Sequence, residues 1–233
     1  MPRTIIVGDV HGCADELGDL LDAVSYAAGD QVVLVGDLIG RGPLPHRTVA
    51  LARRVGARAV LGNHEDHFLR WHAGNPGAKD PPSANELKRR AHAAQLDGAD
   101  WEFLGALPLW LELPSHDALV VHAGLVPGVP IDQQQRRVLL SIRCLSATGA
   151  PVTKREGDLW ASRYAGPPQV VFGHHALEAP QIHPWATGLD TGCVYGGRLT
   201  ALVLGEGEPV PAVALRAEAL RSVPARRTYE PIR

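Results

Sequence analysis

Residues 4–12 read TIIVGDVHG, an apolar run that ends abruptly in Gly-Asp-Val-His-Gly. The same grammar returns as QVVLVGDLIGRG at 31–42, ARAVLGNHE at 57–65, ALVVHAG at 118–124 and QVVFGHH at 169–175. Each run is short and rich in β-branched residues, the pattern of a strand covered on both faces. In α/β proteins the carboxyl ends of neighbouring strands share one sheet edge, where ligands bind. These tips therefore carry Asp9, His11, Asp37, Asn63, His122 and His174 toward one small volume.

Around the first tip, Leu17, Leu20, Leu21 and Val24 recur at helical spacing, which predicts a helix from Ala14 to about Ala28, closed by Gly29-Asp30. A second strand follows over 32–36, then a helix from His46 to Val55 beyond the Pro43–Pro45 turn, then a third strand near 58–61. That alternation argues for right-handed crossovers and a largely parallel sheet. Residues 73–84 read as a loop by their prolines and glycines, and 85–107 as helical again. The second half changes to short strands near 109–113, 118–122, 169–172, 187–190 and 198–204. The expectation is an α/β (α+β) sandwich in which a second, mixed or antiparallel sheet packs on the first. Residues 1–205 then form the catalytic domain, and the proline-containing segment 206–233 a tail lying along its surface.

A chain of 233 residues, 45% apolar and 21% charged, has the make-up of a globular domain with a sizeable core. Its net charge of −2 argues against a broad basic surface for duplex nucleic acid but leaves room for a local arginine cluster. Three cysteines, Cys13, Cys144 and Cys193, make no disulfide framework and suit a reducing cytosol. No run approaches the roughly 18 apolar residues of a membrane span, and the N-terminal apolar run is too short for a signal peptide. A cytoplasmic protein without a membrane partner is expected.

Asp9 and His11 stand two apart at a strand end, so an extended backbone points both side chains the same way. Asp37 follows a second strand, and a carboxylate placed between two cations can bridge them. Asn63 offers a neutral oxygen, and His122 and His174 offer nitrogens. Taken singly, each has an ordinary reading as a cap, a turn residue or a satisfied core histidine; their recurrence at five tips speaks for a shared site. Oxygen and nitrogen ligands without thiolate suit Mn²⁺, Fe, Co²⁺ or Zn²⁺ better than a soft metal, with Mg²⁺ also possible. Two such ions about 3.5–4 Å apart clamp a phosphoryl group and acidify a bridging water. His64, beside Asn63, is the natural donor to the leaving oxygen. Arg41, four residues after Asp37, is placed to fork two phosphate oxygens.

In this order, Gly-Asp-Val-His-Gly, Gly-Asp-Leu-Ile-Gly-Arg-Gly, Gly-Asn-His-Glu, His-Ala-Gly and Gly-His resemble the calcineurin-like metallophosphoesterase superfamily, and within it the phosphoprotein-phosphatase branch. The resemblance spans about residues 4–204 and implies a four-layer α/β/β/α sandwich with a dinuclear site between its sheets. Gly-Asp-Leu-Ile-Gly-Arg-Gly-Pro, the continuation of Gly-Asn-His-Glu into Asp-His-Phe-Leu, and a segment at 188–202 that looks like a closing hairpin lean toward bacterial symmetrical diadenosine tetraphosphatases and their ApaH-like relatives. Carried over by motif, Asp9, His11 and Asp37 hold one divalent metal, Mn²⁺ first among the candidates, and Asp37, Asn63, His122 and His174 hold the other. His64 becomes the general acid, Arg41 and Arg143 the phosphate-binding arginines, and Asp190 a supporting carboxylate near the site.

One position departs from the pattern. Protein-phosphatase members carry an aspartate immediately before the motif arginine, where it orients the catalytic histidine; here it is Gly40. Glu65, Asp66 or Asp190 must then substitute, or His64 has no carboxylate partner. Tetraphosphatase-like relatives tolerate a small residue there. The leading expectation is thus hydrolysis of a dinucleoside polyphosphate such as Ap4A by a metal-bridging hydroxide. A serine/threonine or broad-specificity protein phosphatase and a non-catalytic metal-binding scaffold are the alternatives, with polyphosphate or nucleic-acid phosphate ends as further substrates. The other histidines, His46, His67, His72, His92, His116 and His183, are expected on the surface or on helix faces, His175 near the site, and the tryptophans mostly in the core.

Overall fold

The structure, a computed structural model, describes residues 2–74 and 84–231; most of the loop expected at 73–84 lies outside the described residues. Strands β1 (Thr4–Val7), β2 (Gln31–Leu34) and β3 (Arg58–Ala59) run parallel, with helices α1 (Ala14–Ala23) and α2 (Pro45–Arg54) as crossovers. Helix α1 stops short of the predicted end because Ser25 turns into left-handed backbone (φ 50°). Helix α3 (Asn63–His72) begins on the third tip, and α4 (Ala84–Ala93) and α5 (Gly98–Gly105) replace the single helix expected across 85–107. The break is chemical: Asp97 caps α5 by accepting the Asp100 N–H, and Asp100 accepts the Asp97 N–H in return.

The second half supplies β4 (Trp110–Leu113), β5 (Ala118–Val121), α6 (Arg136–Ser141), β6 (Cys144–Leu145), β7 (Pro151–Val152), β8 (Asp158–Leu159), α7 (Trp160–Arg163), β9 (Gln169–Phe172), β10 (Gln181–Ile182), β11 (Ala186–Gly188), β12 (Arg198–Leu204) and β13 (Leu220–Pro224). Two five-stranded mixed sheets result, ordered β13-β12-β1-β2-β3 and β10-β11-β9-β5-β4, and β7-β6-β8 form a small third sheet. Alternation along the strands makes the layers. Ile5 and Val7 point to α1 and α2, whereas Ile6 meets Val120 and Val171 between the sheets. Leu119 and Val121 point the other way, toward α6 and α7. The fold is the expected sandwich of helices, sheet, sheet and helices.

Three features differ from the sequence reading. Residues 188–202 form no hairpin, because β11 belongs to the second sheet and β12 to the first, so the segment crosses between them. Left-handed turns at Gly192 and Gly196 permit the crossing. The segment beyond 205 does more than lie along the surface: β13 is the edge strand beside β12, and Arg226 and Tyr229 bond Asp19 and Glu16 of α1. His116 is buried rather than exposed, its ring bonded to the Glu208 carbonyl and to Thr4 Oγ1, which ties the second sheet to the first.

Candidate active site

The strand tips converge. His11, Asp37 and His174 all adopt left-handed backbone (φ 50°, 50° and 65°), a strained state for non-glycine residues that persists where surrounding structure enforces it. For Asp37 the enforcing group is Glu65. Its fully buried carboxylate accepts N–H groups from Asp37 (2.8 Å), Ile39 (3.0 Å) and Gly62 (3.1 Å), bracing the second tip against the start of α3. Gly62 has to lack a side chain, since a Cβ there would collide with the Asp37 amide and carboxylate. Asp37 in turn accepts the His64 N–H at 3.0 Å.

The histidines are oriented by backbone. His11 Nδ1 lies 3.2 Å from the Ile39 carbonyl and His122 Nδ1 lies 2.9 Å from that of Val35. Carbonyls only accept, so both Nδ1 atoms carry the proton and both Nε2 atoms present bare lone pairs. Those lone pairs face Asp37, each 3.5 Å from one carboxylate oxygen. Burial keeps the rings neutral, with His11 pushed down to about 3 and His122 also lowered. Asn63 Oδ1 sits 2.9 Å from His122 Nε2 and 2.7 Å from His174 Nδ1, and His174 Nε2 is buried without a partner. Acceptors aimed at one another in a dry site are mutually repulsive unless a cation lies between them. The donor set therefore fits divalent metals. Two compact groups, His11–Asp37–His64 and Asp37–His122–His174, share Asp37.

Asp9 is buried beside them, but both its oxygens lie 3.0–3.1 Å from the His174 N–H, and it belongs to neither compact group. Burial and the neighbouring Asp190 and Asp37 hold it well above the usual carboxylate range. Burial likewise pushes Asp37 up to about 7 and Asp190 to about 6, the latter while it accepts the Gly192 N–H.

His64 lies edge-on to His11 at 4.8 Å between ring centroids, its imidazole kept neutral by burial. None of the three candidate carboxylates serves it. Glu65 braces the Asp37 tip, Asp66 pairs with Arg70 and Arg136, and Asp190 bonds Gly192. The reason lies at Gly40, whose φ of +123° only glycine adopts readily, and where a Cβ would strike His64 Nδ1. The imidazole occupies the room that a side chain at position 40 would need.

A groove of about 720 Å³ opens over these residues, with Arg41, Asn63, His64, Arg143 and His174 in its wall. Arg41 packs over the Tyr195 ring at 5.5 Å, and the Nε atoms of Arg41 and Arg143 are buried without partners. Sequence reasoning missed Glu65 as a brace, Tyr195 as a platform, and the further basic residues Arg70, Lys88, Arg89 and Arg155 of the groove. His67, expected on the surface or on a helix face, lies on the face of α3 that lines the groove, and the aromatic residues of the lining are Phe68 and Tyr195. Only the three-residue step from His64 to His67 along one helix face signalled any of these. Glu230 lines the rim and pairs with Lys88 at 2.8 Å.

A two-sheet sandwich carrying shared-carboxylate ligand groups at its strand tips defines a metallophosphoesterase. Residues 2–205 match the calcineurin-like phosphoesterase family, and the chain belongs to it. It is 32% identical over 228 residues to an asymmetrical bis(5'-nucleosyl)-tetraphosphatase, PrpE, of Bacillus velezensis, spanning 88% of this chain and 90% of that one. It is 30% identical over 259 residues to a symmetrical bis(5'-nucleosyl)-tetraphosphatase of Vibrio campbellii, spanning 85% and 94%. A crystal structure of a candidate diadenosine tetraphosphatase superposes with a TM-score of 0.80 at 36% identity, covering 97% of this chain and 96% of the other. The chain is accordingly a phosphoester or phosphoanhydride hydrolase. No described helix is long and apolar enough to cross a membrane.

Proposed function

We propose that the chain hydrolyses phosphoanhydride bonds of dinucleoside polyphosphates, with dinucleoside tetraphosphates such as Ap4A as the leading substrates. The observation that carries this reading is charge. Among the described residues, Arg41, Arg89, Arg143 and Arg155 line one groove and none has a carboxylate partner. A single phosphate has no use for so many cations, whereas a phosphate chain does.

One metal falls to Asp9, His11 and Asp37 and the other to Asp37, Asn63, His122 and His174, with Mn²⁺ the first candidate. When bound, the pair supplies charge neutralisation and an acidified water. Arg41, steadied on Tyr195, and Arg143 hold the non-bridging oxygens of the phosphate under attack. His64, facing the groove, takes up a proton as the phosphate chain brings its negative charge beside the ring and passes it to the departing oxygen, and Asp190 is the supporting carboxylate, close enough to Asp9 to raise it. A departing phosphate is a far weaker base than a serine alkoxide and needs less help from an acid. The lack of a carboxylate behind His64 therefore weighs against phosphoserine and phosphothreonine substrates.

The test is a Mn²⁺-loaded substrate panel of Ap4A, p-nitrophenyl phosphate and a phosphopeptide, with products resolved by chromatography. Ap4A cleavage that outpaces phosphopeptide turnover is expected. Phosphopeptide turnover without Ap4A cleavage would overturn the proposal.

A further inference from the structure

The groove holds more positive charge than one phosphate and its metals can use, and the surplus stands at separate places. Two of the additional cations are already matched, Arg70 by Asp66 and Lys88 by Glu230. Arg89 and Arg155 are not, among the described residues. Arg89 is half-buried on α4 and lines the groove together with His67, which sits three residues past His64 on the same face of α3. Arg155 belongs to the loop between β7 and β8. That loop is tied down at two points: Arg143 Nη1 donates to the Thr153 carbonyl, and Arg155 Nη2 donates to the Ala176 carbonyl just past His174. Arg155 thus extends the Arg143 side of the groove, whereas Arg89 extends the His64 side. The electrostatics agree with that division. Arg155 is among the charges that lower Arg143 and His175, and Arg89 among those that lower His67, with burial the larger cause in each case.

We infer that Arg89 and Arg155 are specificity-determining residues that hold the phosphates on either side of the one attacked, Arg89 on the departing side and Arg155 on the retained side. The assignment rests on the phosphoanhydride reading of the groove given above. The departing side follows from His64, which protonates the oxygen that leaves with that part of the chain. A guanidinium without a carboxylate partner fits the two non-bridging oxygens of a chain phosphate bidentately, and each such contact strengthens as the groove excludes water.

The experiment uses Mn²⁺-loaded wild type, Arg89→Gln and Arg155→Gln, each checked for metal content and for an unchanged melting curve. Three quantities are measured: kcat/KM on Ap4A, kcat/KM on p-nitrophenyl phosphate, and the inhibition constant of inorganic tripolyphosphate against p-nitrophenyl phosphate. Tripolyphosphate held by its end phosphate extends only on the departing side. Both variants should therefore lose roughly ten-fold to a hundred-fold more on Ap4A than on p-nitrophenyl phosphate. Only Arg89→Gln should weaken tripolyphosphate, by a similar factor. Equal losses on both substrates, or equal weakening of tripolyphosphate by both variants, would overturn the assignment. A wild type active on p-nitrophenyl phosphate but inert toward Ap4A would remove the proposed function, while the tripolyphosphate arm would still decide Arg89.

Discussion

Stripped of divalent cations, the protein should carry a carboxyl-linked loss of stability between pH 6.5 and 8 that Asp37→Asn reduces and metal abolishes. Asp37 and Glu65 are buried and pushed up to about 7, and burial beside Asp190 and Asp37 raises Asp9 as well. A carboxyl raised in the folded state keeps a proton that the unfolded chain has released, so its contribution is complete at low pH and lost as pH climbs through the folded value. The buried histidines act in the opposite sense. His11 and His175 are lowered to about 3 and about 4 from 6.5, and because half of the unfolded chain's imidazole is still charged at 6.5, each adds about 0.4 kcal/mol between pH 6.5 and 8. Across the same window Asp37 and Glu65 each lose roughly 1 kcal/mol. Comparing wild type with Asp37→Asn isolates one carboxyl, since the histidine gain is common to both. For a chain of this size that difference is roughly 2–4 °C in melting temperature. With metal bound, the cations hold the carboxylates ionised and the wild type should lose this carboxyl decline. The assay is thermal unfolding in chelator and in Mn²⁺ from pH 5 to 8.5, with Asp37→Asn alongside in chelator. A wild-type-minus-variant difference that does not fall between pH 6.5 and 8 in chelator would refute the argument that these carboxyls are packed to await cations.

Two substitutions test the bracing directly. Glu65→Gln keeps the shape but turns one acceptor into a donor facing a backbone N–H. It should cost about 1–3 kcal/mol in urea unfolding and weaken Mn²⁺ loading; unchanged metal affinity would show that the Asp37 tip holds itself. Gly40→Asp installs the carboxylate that protein phosphatases carry, yet it needs a backbone of φ +123° and room that His64 Nδ1 occupies. It should cost about 1–3 kcal/mol in stability and lower turnover of every substrate. A gain in phosphopeptide turnover would contradict the steric reading.

Much of the candidate site was legible because polar side chains at strand tips leave a sequence trace: an apolar run, a glycine, then the candidate ligand. Asp37, His122 and His174 come together from stretches far apart in the chain, as their motifs implied. The braces leave no such trace. Glu65 reads as an ordinary first-turn acid of α3, and only the packing of α3 against the second tip turns its carboxylate onto three backbone amides. The stretch 188–202 misled for a related reason, since turn residues between two strands look alike whether the strands pair or diverge into different sheets.

Local chemistry by itself determined the strands that end at the candidate site and the family, because these depend on side-chain character and short-range periodicity. Tertiary structure alone decided which charges remain unpaired in the groove and where His64 sits. Both depend on close approach between segments distant in the chain. The Lys88–Glu230 pair spans 142 positions, and the tie of Arg155 to Ala176 spans 21. Gly40 joins the two levels. Its identity was plain in the sequence, but only the fold shows that the space beside it is filled by the imidazole.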